Sequence, residues 1–306
     1  MTAAPTPRQT RGFLMSRLKE AGVQPNRRHG QNFLIDLNLQ QLLIRSAELE
    51  PTDVVLEVGG GTGSLTALLA EEAAAVISVE MDRNLAQLAA ETLLDVKNVT
   101  LLAVDALKNK NHMNPVVLEA VEKKMAEIPG SSLKLVANLP YNIATPVISN
   151  LLTTPIVPRE MVVTIQKELA DRTLARPSTK DYSALSIWIQ SQCRVEMVRT
   201  LAPTVFWPRP KVWSAILRIT LDDEARARIP DIEYFHQFVR SMFFHRRKFL
   251  RSVVRSAYKG RLSKDDVDSV LVQLRLGPDA RAEQLDLETL QRLCEALRTK
   301  ENAVMT

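Results

Sequence analysis

The strand-like run Val54-Val55-Leu56-Glu57-Val58 passes without interruption into Gly59-Gly60-Gly61-Thr62-Gly63 and on into a helical stretch, Thr66 to Glu72. Four glycines in five positions let the backbone turn tightly and approach a ligand closely, so this is the strand–turn–helix opening of a βαβ unit. The pattern repeats. Apolar runs at 75–80, 99–104, 133–137 and 160–166 alternate with helical segments that include 38–47 and 84–94. Such alternation predicts an α/β fold with a mainly parallel sheet, whose ligands bind in the crevice outside the carboxyl ends of the strands. A glycine turn of this type serves nucleotide and dinucleotide sites alike, so by itself it leaves the ligand open.

Residues at the other strand ends narrow the choice. Glu80 closes the run Ala75 to Val79 about 20 residues beyond the turn, the place of an acid that binds ribose hydroxyls. Asp105 follows Val99 to Val104, where it can accept from an adenine amino group. The run Leu133 to Ala137 ends in Asn138-Leu139-Pro140-Tyr141-Asn142-Ile143-Ala144-Thr145-Pro146. The Asn138 carboxamide oxygen can accept from an exocyclic amine, Pro140 fixes a turn that offers a neighbouring carbonyl, and Tyr141 presents a flat face to a base. Alone, each acid is as readily a solvated carboxylate, and the nine residues are as readily a turn with a core tyrosine. In order on successive strand ends, they outline a nucleoside crevice with an amine-directed site.

With 306 residues, 45% of them hydrophobic, the chain has room for one large α/β domain and a small second one. No apolar run approaches the roughly 18 residues of a membrane span, and the start lacks the apolar core of a secretory signal. Cys193 and Cys294 are far apart and no Cys/His cluster has metal-ligand spacing, so reduced thiols, a cytoplasmic location and no metal are expected. Six Lys/Arg against one acid in the first 30 residues read as a basic arm rather than an organelle-targeting peptide. The net charge of +5 is unevenly placed: His236 to Lys264 holds nine Lys/Arg and no Asp or Glu. Within that block Arg247, Arg251 and Arg255 recur at helical spacing opposite Phe249, Leu250, Val253 and Val254, which predicts a basic amphipathic helix. A long block of one sign calls for a polyanion, and RNA backbone fits better than a membrane surface because the apolar side suits packing within a small helical domain.

Together these motifs resemble the KsgA-type family of ribosomal RNA adenine N6,N6-dimethyltransferases. The resemblance opens at Arg27-Arg28-His29-Gly30-Gln31-Asn32-Phe33-Leu34 and continues through the glycine turn, Val79 to Asp82, Asp105-Ala106-Leu107 and Asn138 to Tyr141. It goes on through Gln166 to Arg172, Lys180-Asp181-Tyr182, Phe206-Trp207-Pro208-Arg209-Pro210-Lys211-Val212, Phe244 to Lys248 and Arg281 to Leu285. It implies a Rossmann-like class I S-adenosylmethionine-dependent methyltransferase sheet with a small all-helical C-terminal domain. It further implies S-adenosylmethionine as methyl donor, no metal, and the small ribosomal subunit with its RNA as partner of a monomeric protein. By the same resemblance, Asn32, the Leu34 backbone, Gly59, Gly61, Glu80, Asp105 and Asn138 hold the cofactor. Asn138 and the Leu139 carbonyl accept from N6 of a flipped adenosine stacked on Tyr141 and sandwiched by Phe206. Lys211, Arg246, Arg247, Lys248, Arg251 and Arg255 meet RNA. No strong base is required, because the N6 proton becomes acidic only as the new bond forms, so His29 and His245 are given no catalytic part. The implied product is dimethyladenosine at two adjacent positions near the 3′ end of 16S RNA. A related enzyme for large-subunit RNA or DNA adenine, and an assembly factor whose binding outweighs catalysis, remain as alternatives.

The sequence divides into a basic arm (1–25), a methyltransferase domain (26–221) and a helical RNA-binding domain (222–306), with a linker at Asp222 to Asp231. Two features depart from the family pattern. The long stretch between Asp105 and Asn138 reads as an inserted surface helix, about 108–132, started by Asn114-Pro115, braced by Glu119 and Lys123, and ended by Pro129-Gly130. Gly60 stands where the family commonly has proline, a change expected to affect rigidity more than chemistry.

Overall fold

A computed structural model of the chain describes residues 11–20, 22 and 30–305. Most of the expected basic arm, and Arg27, Arg28 and His29, lie outside the described residues. The chain forms two compact units, one of residues 1–170 and 196–220, the other of 171–195 and 221–306.

The first unit opens with α1 (Arg11–Glu20), β1 (Phe33–Leu34) and α2 (Leu37–Ser46), followed by β2 (Val54–Val58), α3 (Ser64–Glu72), β3 (Ala75–Val79), α4 (Arg83–Thr92) and β4 (Val99–Leu102). A small hairpin, β5 (Leu107–Asn109) and β6 (His112–Met113), precedes α5 (Pro115–Glu127), β7 (Leu133–Asn138), α6 (Ala144–Leu151), β8 (Glu160–Gln166) and α7 (Lys167–Thr173). Three late strands follow: β9 (Cys193–Leu201), β10 (Phe206–Trp207) and β11 (Ser214–Leu221). The main sheet has the order β4-β3-β2-β7-β8-β11-β9. β2, β3, β4, β7 and β8 are parallel, and β11 runs antiparallel to β8. The chain builds outward from β2 to β4, then returns to place β7 on the other flank of β2. That reversal opens a crevice beyond the carboxyl ends of β2 and β7.

β2 and β3 are buried along their whole length, as strands covered on both faces must be, which is why they read as unbroken runs. Leu39 and Leu43 of α2 pack with Val55, Val76, Val136 and Ile216 of the sheet, each aliphatic side chain contributing roughly 1.5–3 kcal/mol on burial. The carboxylates of Asp36 and Asp82 cap α2 and α4 by accepting from the first free amides. Asn114 caps α5 in the same way, with Pro115 in the first turn as expected. That helix is not a surface insertion, however. Val117 and Val121 are buried where α5 lies on β2 and β3, so it is the crossover between β4 and β7, preceded by the β5–β6 hairpin. Its ion pair is Lys124–Glu127 at 2.7 Å rather than Glu119–Lys123. Part of the expected arm is also packed helix: Leu14 and Leu18 of α1 are buried beside Leu85 and Leu88.

The second unit contains α8 (Ala184–Gln190), α9 (Asp223–Ala227), α10 (Ile232–Phe244), α11 (Leu250–Ala257), α12 (Lys264–Gln273) and α13 (Leu287–Met305). It includes residues 171–195, which the sequence places with the large domain. The reason is Trp188 on α8, buried with its ring stacked on His236 at 4.3 Å and tilted against Phe235 at 6.4 Å. The stretch Asp222 to Asp231 is no open linker, since Asp222 caps α9 and Asp231 caps α10. α11 begins only at Leu250, so Arg247 precedes the helix it was expected to share with Arg251 and Arg255.

Candidate active site

Asn32, Gly59, Gly61, Glu80, Asp105 and Asn138, drawn from five separate segments, line one cavity at the carboxyl end of the sheet. Gly59 has φ +85°, and a Cβ there would lie 2.8 Å from Cδ of Pro140, so the glycine turn and the turn after β7 can approach only without a side chain. The Glu80 carboxylate accepts from the Asp82 and Gly61 amides, each at 2.9 Å. Burial raises its pKa and these two amides pull it back. Asp105 accepts from the Leu107 amide at 2.9 Å, which orients its carboxylate at the next strand end.

At the end of β7, Asn138 donates through Nδ2 to the Asn32 carbonyl at 2.8 Å. Only the NH2 group can donate, so this bond fixes which way the amide faces. Oδ1 is then a buried acceptor with no hydrogen-bond partner among the described residues. Asn32 is itself held by its Nδ2 bond to the Gly30 carbonyl at 3.0 Å. The Leu139 amide donates to the Thr164 carbonyl at 3.2 Å, keeping this segment aligned with β8. Tyr141 shares a 2.5 Å hydrogen bond with Ser214 Oγ. Burial raises the phenol pKa, against a smaller lowering by Ser214.

Leu139 and Tyr141 stand in the turn beside Asn138 without lining that cavity, and two further expected site residues take other places. Phe206 pairs with Leu34 across the β1–β10 ladder and is 2% exposed, inside the core cluster with Leu34 and Leu39; its ring therefore has no face for a base. The Leu34 carbonyl accepts from Gln40 Nε2 at 2.7 Å, and Leu34 lines a smaller neighbouring cavity instead.

Among the expected RNA contacts, Arg251 donates to Asp268 at 2.7 and 2.5 Å, and Arg255 to the same carboxylate at 2.5 Å. The Arg251 hydrogen bond leads in lowering the Asp268 pKa to about 2. Arg246 donates to the Tyr182 carbonyl and, at 2.7 Å, to the Lys180 carbonyl, with Glu283 at 3.5 Å. Lys211, Arg247 and Lys248 are exposed, and their side chains make no hydrogen bond or ion pair among the described residues.

One buried acid escaped the sequence reading. Glu57 on β2 accepts from Thr66 Oγ1 at 2.5 Å and Ser78 Oγ at 2.7 Å, and burial pushes its pKa up to about 7. Its signal is an acid inside an otherwise apolar strand. Gly60 belongs to the same arrangement, because a Cβ at that position would fall 2.1 Å from Ser78 Oγ. A side chain at position 60 would therefore have to turn the Ser78 hydroxyl away from Glu57.

Fold and crevice together define a class I methyltransferase. The fold is shared with a dimethyladenosine transferase from Plasmodium falciparum (TM-score 0.70, 24% identity, 87% of this chain and 97% of that one). It is shared also with the 23S rRNA methyltransferase ErmE (TM-score 0.60, 26% identity, 87% and 99%). Within that class the chain belongs to the ribosomal RNA adenine dimethylase family, which matches residues 22–265. The ribosomal RNA small subunit methyltransferase A of Lactococcus lactis subsp. lactis is 38% identical to it over 89% of each chain. That of Geobacillus sp. is 37% identical over 95% of this chain and 97% of its own.

Proposed function

We propose that the protein transfers methyl groups from S-adenosylmethionine to N6 of two adjacent adenosines near the 3′ end of small-subunit 16S RNA, during subunit biogenesis in the cytoplasm. The observation that carries this reading is Asn138 Oδ1. A buried acceptor left unpaired costs roughly 1–3 kcal/mol, and an N–H of an exocyclic amine offsets that cost. The family and the small-subunit relatives at 36–38% identity support the substrate class. ErmE, a large-subunit RNA enzyme, is less similar at 26%.

The residues present fit the cofactor. The Glu80 carboxylate, steadied by two amides, is placed for ribose hydroxyls, Asp105 for an adenine amine, and Gly59 and Gly61 leave room for close approach. When bound, S-adenosylmethionine supplies an electrophilic methyl group. In the first transfer Asn138 Oδ1 and the Leu139 carbonyl accept hydrogen bonds from the two N6 protons, and in the second one of them accepts from the single proton left, which draws the nitrogen lone pair out of conjugation with the ring and aims it. Asn32 keeps the amide from rotating, so the acceptor is preorganised. Tyr141 gives the extruded base a stacking surface. No residue need act as a strong base, because N6 loses its proton after its new bond begins to form.

The deciding experiment is transfer of labelled methyl groups to small subunits lacking the modification, followed by nucleoside mass spectrometry. Dimethyladenosine from an adjacent pair is expected. Asn138→Ala should lose about 100-fold or more in turnover, comparable to removing an electrostatic partner of the reacting group, and weaken S-adenosylmethionine binding far less than that. Label on large-subunit RNA alone, or wild-type turnover by Asn138→Ala, would overturn the assignment.

A further inference from the structure

We propose that Trp213 is a stacking platform for an RNA nucleotide next to the one in the pocket, with Lys211 and Arg209 meeting the adjoining phosphates. The inference rests on the methyltransferase reading and extends it to how the strand outside the pocket is held.

Three observations carry it. First, the Tyr141–Ser214 hydrogen bond ties the start of β11 to the turn that follows Asn138, and Trp213 is the residue immediately before Ser214. Second, Trp213 is 54% exposed, within an exposed run 211–213. Its ring makes no aromatic or cation contact among the described residues, whereas Trp188 stacks on His236 and Trp207 on Phe33. Its backbone is fixed all the same, because its carbonyl accepts from the Lys167 amide at 2.9 Å. Third, Arg209 and Lys211 precede the ring in a segment, Val205 to Leu221, that holds no Asp or Glu, while Arg218 further along is taken up by Glu48 and Glu160.

A large ring left half in water forfeits burial that its size would reward. A rigidly based aromatic face in a segment that carries cations and no acid is complementary to single-stranded nucleic acid: the ring takes a base and the cations take phosphates. If the substrate is a pair of adjacent adenosines, only one can enter the pocket at a time. Its neighbour stays outside.

The test is binding of the full-length protein to a fluorescently labelled single-stranded RNA oligonucleotide with two adjacent adenosines, followed by anisotropy and by quenching of tryptophan emission. Saturable quenching is expected for wild type. Trp213→Ala should bind about five-fold or more weakly, the equivalent of ~1 kcal/mol or more of base stacking, and lose most of the quenching. Trp213→Phe, which keeps a ring, should stay within about two-fold of wild type. Because the ring is exposed, both variants should melt as wild type does. Unchanged affinity of Trp213→Ala, or no saturable binding by wild type, overturns the platform. Methyl transfer to small subunits measured alongside separates the two readings. Wild-type transfer with unchanged Trp213→Ala affinity removes the platform alone, while absence of wild-type transfer strikes the methyltransferase assignment itself.

Discussion

Glu57 sits where a strand covered on both faces least tolerates an acid, and two hydroxyls make it possible. Thr66 and Ser78 both donate to its Oε2, and the Ser78 hydroxyl, so oriented, occupies the space beside Gly60. Burial, the largest influence, raises the carboxyl from an ordinary 4.5 to about 7, with the hydroxyls opposing it and Glu80 adding a smaller rise. The folded protein therefore holds this proton more tightly than the unfolded chain. The associated stability is fully present below pH 4.5 and is lost as pH rises through about 7, amounting to about 3 kcal/mol over the whole window. Glu57→Gln, which cannot ionise, should gain on wild type in thermal melting as pH goes from 5 to 8. A difference in Tm that stays constant across that range would mean that Glu57 titrates as an ordinary surface acid.

The basic segment after α10 shows why an element is not the sum of its residue types. Arg246 spends its guanidinium on two carbonyls at Lys180 and Tyr182, and Arg251 and Arg255 close on Asp268 to fasten α11 to α12. Arg247 projects from the turn before α11. Arg246→Ala should therefore lower stability by about 1–3 kcal/mol, the cost of abandoning partly buried acceptors. Arg247→Ala should leave melting unchanged and weaken RNA binding. Equal melting of the two variants would refute this division of labour. The sequence shows the cations but not their partners, because Asp268 lies outside the acid-free stretch His236 to Lys264 and on the next helix. For a similar reason it misplaced 171–195: Trp188 finds Phe235 and His236 nearly 50 positions later, and no local period reports that pairing. Phe206 beside prolines reads the same whether its ring turns inward or outward, and only the β1–β10 ladder decides. The parallel strands, glycine turn and strand-end residues were legible, because burial on both faces and backbone closeness each leave a local mark, as at Val54 to Gly63.

At the scale of the whole molecule, the net charge of +5 is a poor guide to RNA affinity, since many cations are already paired with acids. What sets the long-range attraction is the subset whose charge is open to phosphates, and Lys211, Arg247 and Lys248 belong to it. Each phosphate contact releases condensed counterions, so the logarithm of affinity falls with the logarithm of salt concentration by about 0.7–0.9 per contact. Replacing these three by Ala should make the slope shallower by about 2–3, and the loss of affinity should be greatest at low salt. Replacing Arg251 and Arg255 instead should flatten the slope by no more than about 1, because Asp268 already compensates one of their two charges before RNA arrives. Filter binding of small-subunit RNA between roughly 50 and 200 mM salt reads both slopes. A steeper flattening from the Arg251 and Arg255 pair than from the other three would show that RNA displaces Asp268, and that the ion pairs of α11 and α12 open on binding.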